Sequence, residues 1–176
     1  IYPVHRLDMD TSGIIIYART KKAESDLKGQ FENRKVQKTY AARLSATSAS
    51  EEHIQLKAGA SGTIELPLSA DYDERPRQKV DLIQGKPAVT SYKVVSENSD
   101  GTADIQFQPL TGRTHQIRAQ MAKLGHPLAG DKKYGAATNP FGRLALHAQT
   151  LSFIHPWTGK TMKFTASLPK ELAFPS

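Results

Sequence analysis

Only two windows of this 176-residue chain carry a helical period, and nearly everything else reads as short extended segments between turn residues. That imbalance restricts the fold more than any other feature. Strands need partners, and hairpin-length connections put those partners next to each other in an antiparallel arrangement. The β-branched run at 13–17 predicts a buried strand. Residues 37–44 predict another, with Tyr40, Ala42 and Leu44 set against Lys38, Thr39 and Arg43. Further strands are expected near 63–68, 79–83, 88–96, 103–109, 144–148, 150–154 and 160–167. Thr20 is placed to cap a helix from 21 to about 34, with Ala23, Leu27 and Phe31 on one face. A second helix is expected over 114–124, where Ile117, Met121 and Leu124 keep helical spacing and Gly125 follows as a C-cap. The small, polar residues 45–62 read as a loop, and Gly130, Gly135, Pro140 and Gly142 mark a second long one. No linker divides the chain. Residues 1–176 are therefore expected to form one α+β domain, a mixed and mainly antiparallel sheet with flanking helices.

Charge narrows the partners. Twenty-four Lys and Arg face 17 Asp and Glu, a net charge of +7 that favours a polyanion, nucleic acid first. With no cysteine, disulfides, thiolate metal sites and cysteine nucleophiles are excluded, and a reducing compartment fits. No apolar run is long enough for a membrane span and no signal-peptide pattern opens the chain, so a cytoplasmic location is expected. The first residue is Ile1, so the chain is expected to be a fragment or a processed product.

Four constellations carry candidate chemistry. The first is His5-Arg6-Leu7-Asp8-Met9-Asp10-Thr11-Ser12-Gly13. A carboxylate beside a guanidinium is favoured in its ionised form, and an ionised, positioned carboxylate can act as a nucleophile. The plainer reading is a solvated turn in which Asp8 caps backbone amides. The second is Gly112-Arg113-Thr114-His115-Gln116-Ile117-Arg118, at a strand-to-helix junction. His115 and Arg118 both project from the first helical turn, where a cation opposes the helix dipole unless an anion lies near. Asp8 and an RNA phosphate are the candidate anions, and a bare surface helix start is the alternative. The third is Tyr40, a core residue or a flat ring for stacking on a base. The fourth is an exposed basic edge of Arg75, Arg77 and Lys79 suited to phosphates, to which Lys132 and Lys133 add. His5, His53, His115, His126, His147 and His155 show no metal-ligand spacing, and Gly159-Lys160-Thr161 lacks the context of a phosphate loop.

Taken together, these segments resemble the RluA family of RNA pseudouridine synthases, and within it the RluA subgroup. Residues 5–13 match the family's aspartate motif, 38–40 its tyrosine motif and 111–118 its third motif. Residues 124–135 match the Gly-His-Pro…Gly-Asp segment that follows. Leu144 to His147 and His155-Pro156 match the C-terminal region, while Arg75-Pro76, Gln78-Lys79-Val80 and Gly85-Lys86-Pro87-Ala88 point to the subgroup. The motifs keep the family's order along nearly the whole chain. The resemblance implies a pseudouridine synthase catalytic fold in which Asp8, Tyr40 and Arg118 form the catalytic set. It implies that Arg6 enters the RNA as the uridine leaves. RNA contacts are expected from Arg6, Arg113, His115, Arg75, Arg77, Lys79, Lys132 and Lys133. The chain departs from the family at Gln120, where a His is common, and the strand and Lys-Pro segment that usually precede the aspartate motif are absent, so the N-terminal part of the domain is expected to be missing.

The implied reaction breaks C1′–N1 of uridine and forms C1′–C5 with the same base, an isomerisation that needs neither cofactor nor metal. The implied partners are 23S ribosomal RNA and, as a further candidate, a tRNA anticodon stem-loop; no membrane is involved and a monomer is expected. Other readings are an RNA-binding fragment without catalysis, a Mg²⁺-dependent phosphatase using Asp8-Met9-Asp10-Thr11, and an N-glycosidase pairing Asp8 with Asp10 on one side of an extended segment.

Overall fold

The computed structural model describes residues 1–46 and 56–172. In chain order its elements are β1 (Tyr2–Pro3), β2 (Ser12–Gly13), β3 (Tyr17–Ala18), α1 (Lys21–Glu32), β4 (Gln37–Leu44), β5 (Ser61–Glu65), β6 (Leu68–Ala70), β7 (Gln78–Val80), β8 (Val89–Glu97), β9 (Ala103–Pro109), α2 (Gln116–Lys123), β10 (Leu146–Ile154) and β11 (Thr161–Thr165). The main sheet runs β11-β10-β4-β9-β8-β5 in antiparallel pairs, and β2 adds to β10 in parallel. Two small antiparallel pairs, β1 with β3 and β6 with β7, stand outside it. The expected α+β class and mainly antiparallel sheet are what the chain adopts.

The two larger apolar clusters hold the main sheet and the helices together. Ala42, Leu44, Ile105 and Phe107 from the central strands bury against Ile117 and Met121 of α2, with Leu128 and Leu146 closing the cluster. Each large aliphatic or aromatic side chain buried this way contributes about 1.5–3 kcal/mol. The second cluster joins Leu27 of α1 to Val36, Leu151 and Phe153, with Ala23 and Phe31 packed on its edge. Helix α1 begins where expected because the Thr20 hydroxyl accepts from the Ala23 amide at 3.2 Å. Helix α2 ends before Gly125, whose φ of 79° suits a glycine C-cap.

Several expectations need correction. Residues 13–17 are not a buried strand; Gly13 ends β2, Tyr17 begins β3, and residues 14–16 between them belong to neither. Ile14 and Ile16 pack on the second cluster, while Ile15 is 39% and Tyr17 52% exposed. The β-branched run serves a one-sided contact, so its burial alternates. The two strands expected at 144–148 and 150–154 are one, β10. Its inward residues change parity between Ala148 and Leu151, and a bulge between Ala148 and Thr150 absorbs the extra residue without ending the strand. The strand expected at 79–83 stops at Val80, because the Asp81 carboxylate accepts from the Ile83 and Gln84 amides and closes a turn. Helix α2 starts at Gln116, two residues later than expected, and β11 covers only Thr161–Thr165. Half of the expected 45–62 loop, with His53, lies outside the described residues, and its last two residues open β5.

Candidate active site

Asp8 lies in the segment between β1 and β2, and both sides of that segment are pinned. Downstream, the Thr11 amide donates to the Asp8 carbonyl at 3.0 Å and β2 pairs with β10 through Ser12–His147 and Gly13–Ala148. Gly13 has φ 122°, and a Cβ there would overlap the Ala148 carbonyl oxygen, so only glycine permits this approach. The Ser12 hydroxyl accepts from Arg143 Nη2 at 2.8 Å and donates to His147 Nδ1 at 2.8 Å, while His147 Nε2–H donates to the Ala166 carbonyl at 3.2 Å. Upstream, His5 Nε2 accepts from the Ile16 amide at 2.9 Å and its ring stacks on Phe31 at 4.7 Å. Burial, and then the Lys38 charge, push His5 down to about 4, so it is a neutral acceptor at neutral pH.

Opposite Asp8 stands the start of α2. His115 takes the N-cap position with a left-handed φ of 51°. Its Nε2 lies 4.0 Å from Asp8 Oδ1, and its Nδ1 is 2.8 Å from the Tyr134 hydroxyl. Arg118 places Nη1 3.6 Å from Asp8 Oδ2. Its other two nitrogens grip Asp131, Nε to Oδ2 at 2.8 Å and Nη2 to Oδ1 at 2.9 Å. Burial opposes the Arg118 charge, but the Asp131 hydrogen bonds and charge, followed by Asp8, outweigh it and hold the guanidinium above its ordinary range. Two carboxylates thus share one buried cation, and together they supply the anions that a cationic helix start requires.

Tyr40 on β4 occupies a position between core and cleft. It packs on the central core and also lines the cleft above Asp8. Burial, reinforced by the Asp8 charge, pushes its phenol up to about 12, so the hydroxyl keeps its proton. The cleft encloses about 500 Å³ between α1 and α2, and Arg6, Lys38 and Arg113 also line it. Arg6 and Arg113 are exposed at its rim, and Arg113 Nε donates to the Pro87 carbonyl at 3.2 Å. The cleft is large enough for one nucleotide unit and carries the acid, ring and cations that such a guest requires.

The remaining expected residues lie outside the cleft. Lys132 and Lys133 form a short 3-10 turn beside a neighbouring depression, lined also by Asp10, Arg143 and Asp131. Asp10 lies in a turn with Met9 rather than on a strand with Asp8, and it lines the neighbouring depression while Asp8 lines the cleft. Arg75, Arg77 and Lys79 sit on the β6–β7 hairpin. The uniform basic edge expected there is partly neutralised: Arg77 pairs with Glu74 at 2.9 Å and approaches Asp71 at 3.9 Å. Arg75 lies over the Tyr72 ring at 4.6 Å. Sequence reasoning assigns no role to Asp131, Tyr134 or Lys38; the Gly-Asp segment and the Lys-Thr-Tyr triplet are the signals that could have found them. Lys38 is half-buried in the cleft wall, its ammonium disfavoured by burial, with no carboxylate partner among the described residues.

Gln120 replaces the common His with a working amide. It accepts from Thr90 Oγ1 at 2.7 Å and donates to the Ala88 and Leu66 carbonyls at 3.0 and 3.2 Å. Gln116 continues the ladder, donating to Thr90 Oγ1 at 2.8 Å and accepting from the Arg113 amide at 3.0 Å. These buried amides bind the 111–116 turn to β8 and hold the helix start against Asp8. No three His, Asp or Glu side chains gather as a metal-binding group among the described residues.

Known proteins resemble this chain along most of its length. The family described as RNA pseudouridylate synthase matches residues 1–123. The chain is 45% identical over 163 residues to the dual-specificity RNA pseudouridine synthase RluA of Yersinia pestis, covering 92% of this chain and 75% of that protein. It is 45% identical over 165 residues to the enzyme of the same name from Escherichia coli K12, covering 93% and 71%. Among solved structures, human RNA pseudouridylate synthase domain containing 1 superposes with a TM-score of 0.76 at 30% identity, covering 96% of this chain and 69% of that one. Human RNA pseudouridylate synthase domain containing 4 shares the fold, with a TM-score of 0.74 at 22% identity over 97% and 72%.

Proposed function

The chain belongs to the RNA pseudouridylate synthase family, and from that premise we propose that Asp8 is the carboxylate that acts on the target uridine, with Tyr40 against the base and Arg118 aiming Asp8. One observation carries this reading. Asp8 is bracketed by Arg118 at 3.6 Å and His115 at 4.0 Å in a cleft whose wall is Tyr40.

The enzyme isomerises uridine in RNA. Its reacting atoms are hidden in the base stack, so the nucleotide must be everted at a cost of a few kcal/mol. Arg6, long, planar and exposed at the rim, suits the space left in the RNA. The everted uracil then fits between Tyr40 and Asp8. Attack on C1′, attack on C6 and removal of a sugar proton all begin from the same state, an ionised and aimed carboxylate. Arg118 and His115 support that state. Lys38 adds a cation without a carboxylate in the cleft wall for a backbone phosphate, Arg113 adds another at the rim, and Lys132, Lys133, Arg75 and Lys79 extend the positive track outside it.

The substrates proposed are uridines of 23S ribosomal RNA and of a tRNA anticodon stem-loop. The subgroup motifs and the dual-specificity relatives support that pair. The proposed setting is a cytoplasmic monomer. Mapping pseudouridines in cells lacking the protein tests the reading. Specific sites should vanish in the deletion and return with the wild-type gene. Return with Asp8→Asn would overturn it.

A further inference from the structure

Tyr134 stands between two regions that the reaction must coordinate. Its ring packs with Leu68, Ala88 and Ala119, the apolar cluster that seats the β6–β7 hairpin on α2. Its hydroxyl accepts from the Gln78 amide of the hairpin at 2.8 Å and meets His115 Nδ1 at 2.8 Å. The Arg118 and Arg77 guanidiniums lie 5.2 and 5.7 Å from its centroid, one from the active site and one from the hairpin.

Donor counting settles the proton. The hydroxyl already accepts from Gln78, so its own hydrogen needs an acceptor, and His115 Nδ1 is the acceptor in reach. A neutral imidazole that accepts at Nδ1 carries its hydrogen on Nε2, the nitrogen facing Asp8 Oδ1 at 4.0 Å. A hydrogen-bonded path therefore runs from the Gln78 backbone through Tyr134 to His115, whose Nε2–H faces the Asp8 carboxylate across 4.0 Å without a hydrogen bond to it.

We propose that Tyr134 is a positioning residue that couples the seating of the β6–β7 hairpin to the His115 N–H over Asp8, so that RNA held by the hairpin cations primes the carboxylate. This rests on the reading of Asp8 as the reacting group. The hairpin presents Arg75 and Lys79 outward and Gln78 inward, so a phosphate on its outer side and the active site on its inner side bear on the same three residues.

Nitrogen-15 NMR of the His115 ring in the full chain tests the path without any variant. The proposal requires the Nε2–H tautomer; an Nδ1–H tautomer overturns it. Tyr134→Phe keeps the ring and should mix the tautomers and lower kcat about tenfold, the weight of one buried hydrogen bond, with KM for RNA unchanged. An unchanged tautomer and kcat in that variant overturn it. Removing the hairpin cations, Arg75→Ala with Lys79→Ala, should lower kcat less in the Tyr134→Phe background than in the wild type. Fully additive effects overturn the coupling. The Asp8→Asn variant separates the two readings: retained turnover there rejects the catalytic assignment whatever the tautomer.

Discussion

Arg118 and Asp131 form a two-point grip, at 2.8 and 2.9 Å, and that grip determines where the third guanidinium nitrogen meets Asp8. A single guanidinium would otherwise be drawn onto the nearer carboxylate. Here Asp131 occupies the Nε and Nη2 edge and leaves Nη1 toward the cleft. Asp131 is thus a support for the active site built into the loop after α2.

Breaking the grip should cost stability and turnover together. Asp131→Asn leaves Arg118 buried with its main counter-charge gone, and removing one partner of a buried pair costs about 3–5 kcal/mol. For a chain of this size that lowers Tm by about 6–20 °C. Calorimetry and turnover on one preparation check it, and an unchanged Tm would contradict it.

Gly13→Ala should detach β2 from β10. The residue sits at φ 122° and its new methyl would overlap the Ala148 carbonyl oxygen. A strained backbone of this kind costs about 1–3 kcal/mol, before the overlap is counted. Because β2 follows Asp8 directly, turnover should fall further than RNA affinity. Parallel denaturation and kinetic measurements check this.

His5 makes stability depend on pH. Its folded pKa of about 4 lies below the ordinary 6.5, so the unfolded chain binds more protons between those values. The contribution is complete above pH 6.5, falls as pH drops through the window and is fully lost below pH 4. With the ring partly open to solvent, about 1–2 kcal/mol is at stake. Urea unfolding at pH 7.5 and pH 5 should differ by part of that amount, because pH 5 lies inside the window, and His5→Gln should shrink the difference.

Lys38→Met should weaken RNA binding and flatten its salt dependence. Each phosphate that the protein no longer neutralises reduces the slope of log K against log salt by about 1. Binding titrations across a salt series measure it. An unchanged slope would remove Lys38 from the phosphate track.

What the sequence made legible divides along range. The strand at 37–44 and the helix at 21–32 follow from period and capping between near neighbours, and both are readable. Asp8, Tyr40 and Arg118 are recognisable because their motifs are contiguous, and the fold brings all three to one cleft. Asp131 is legible only as part of the 124–135 segment; its partnership with Arg118 is not, because that depends on how the loop returns after α2, a matter of tertiary path. Tyr134 is hidden for the same reason, since its partners, Gln78 and His115, lie 56 and 19 positions away. Arg77 is overvalued by sequence because a count of cations does not register that Asp71 and Glu74 fold back onto it. The break expected near Gln149 reflects a change of parity that a bulge resolves more cheaply than a turn.

The most direct test measures RNA binding and pseudouridine formation by Asp8→Asn on a single transcript. The account predicts wild-type affinity with turnover abolished, because the substitution removes the carboxylate and leaves the cleft, the rim cations and the Arg118–Asp131 pair in place. Pseudouridine formed by that variant at a rate near wild type would contradict it.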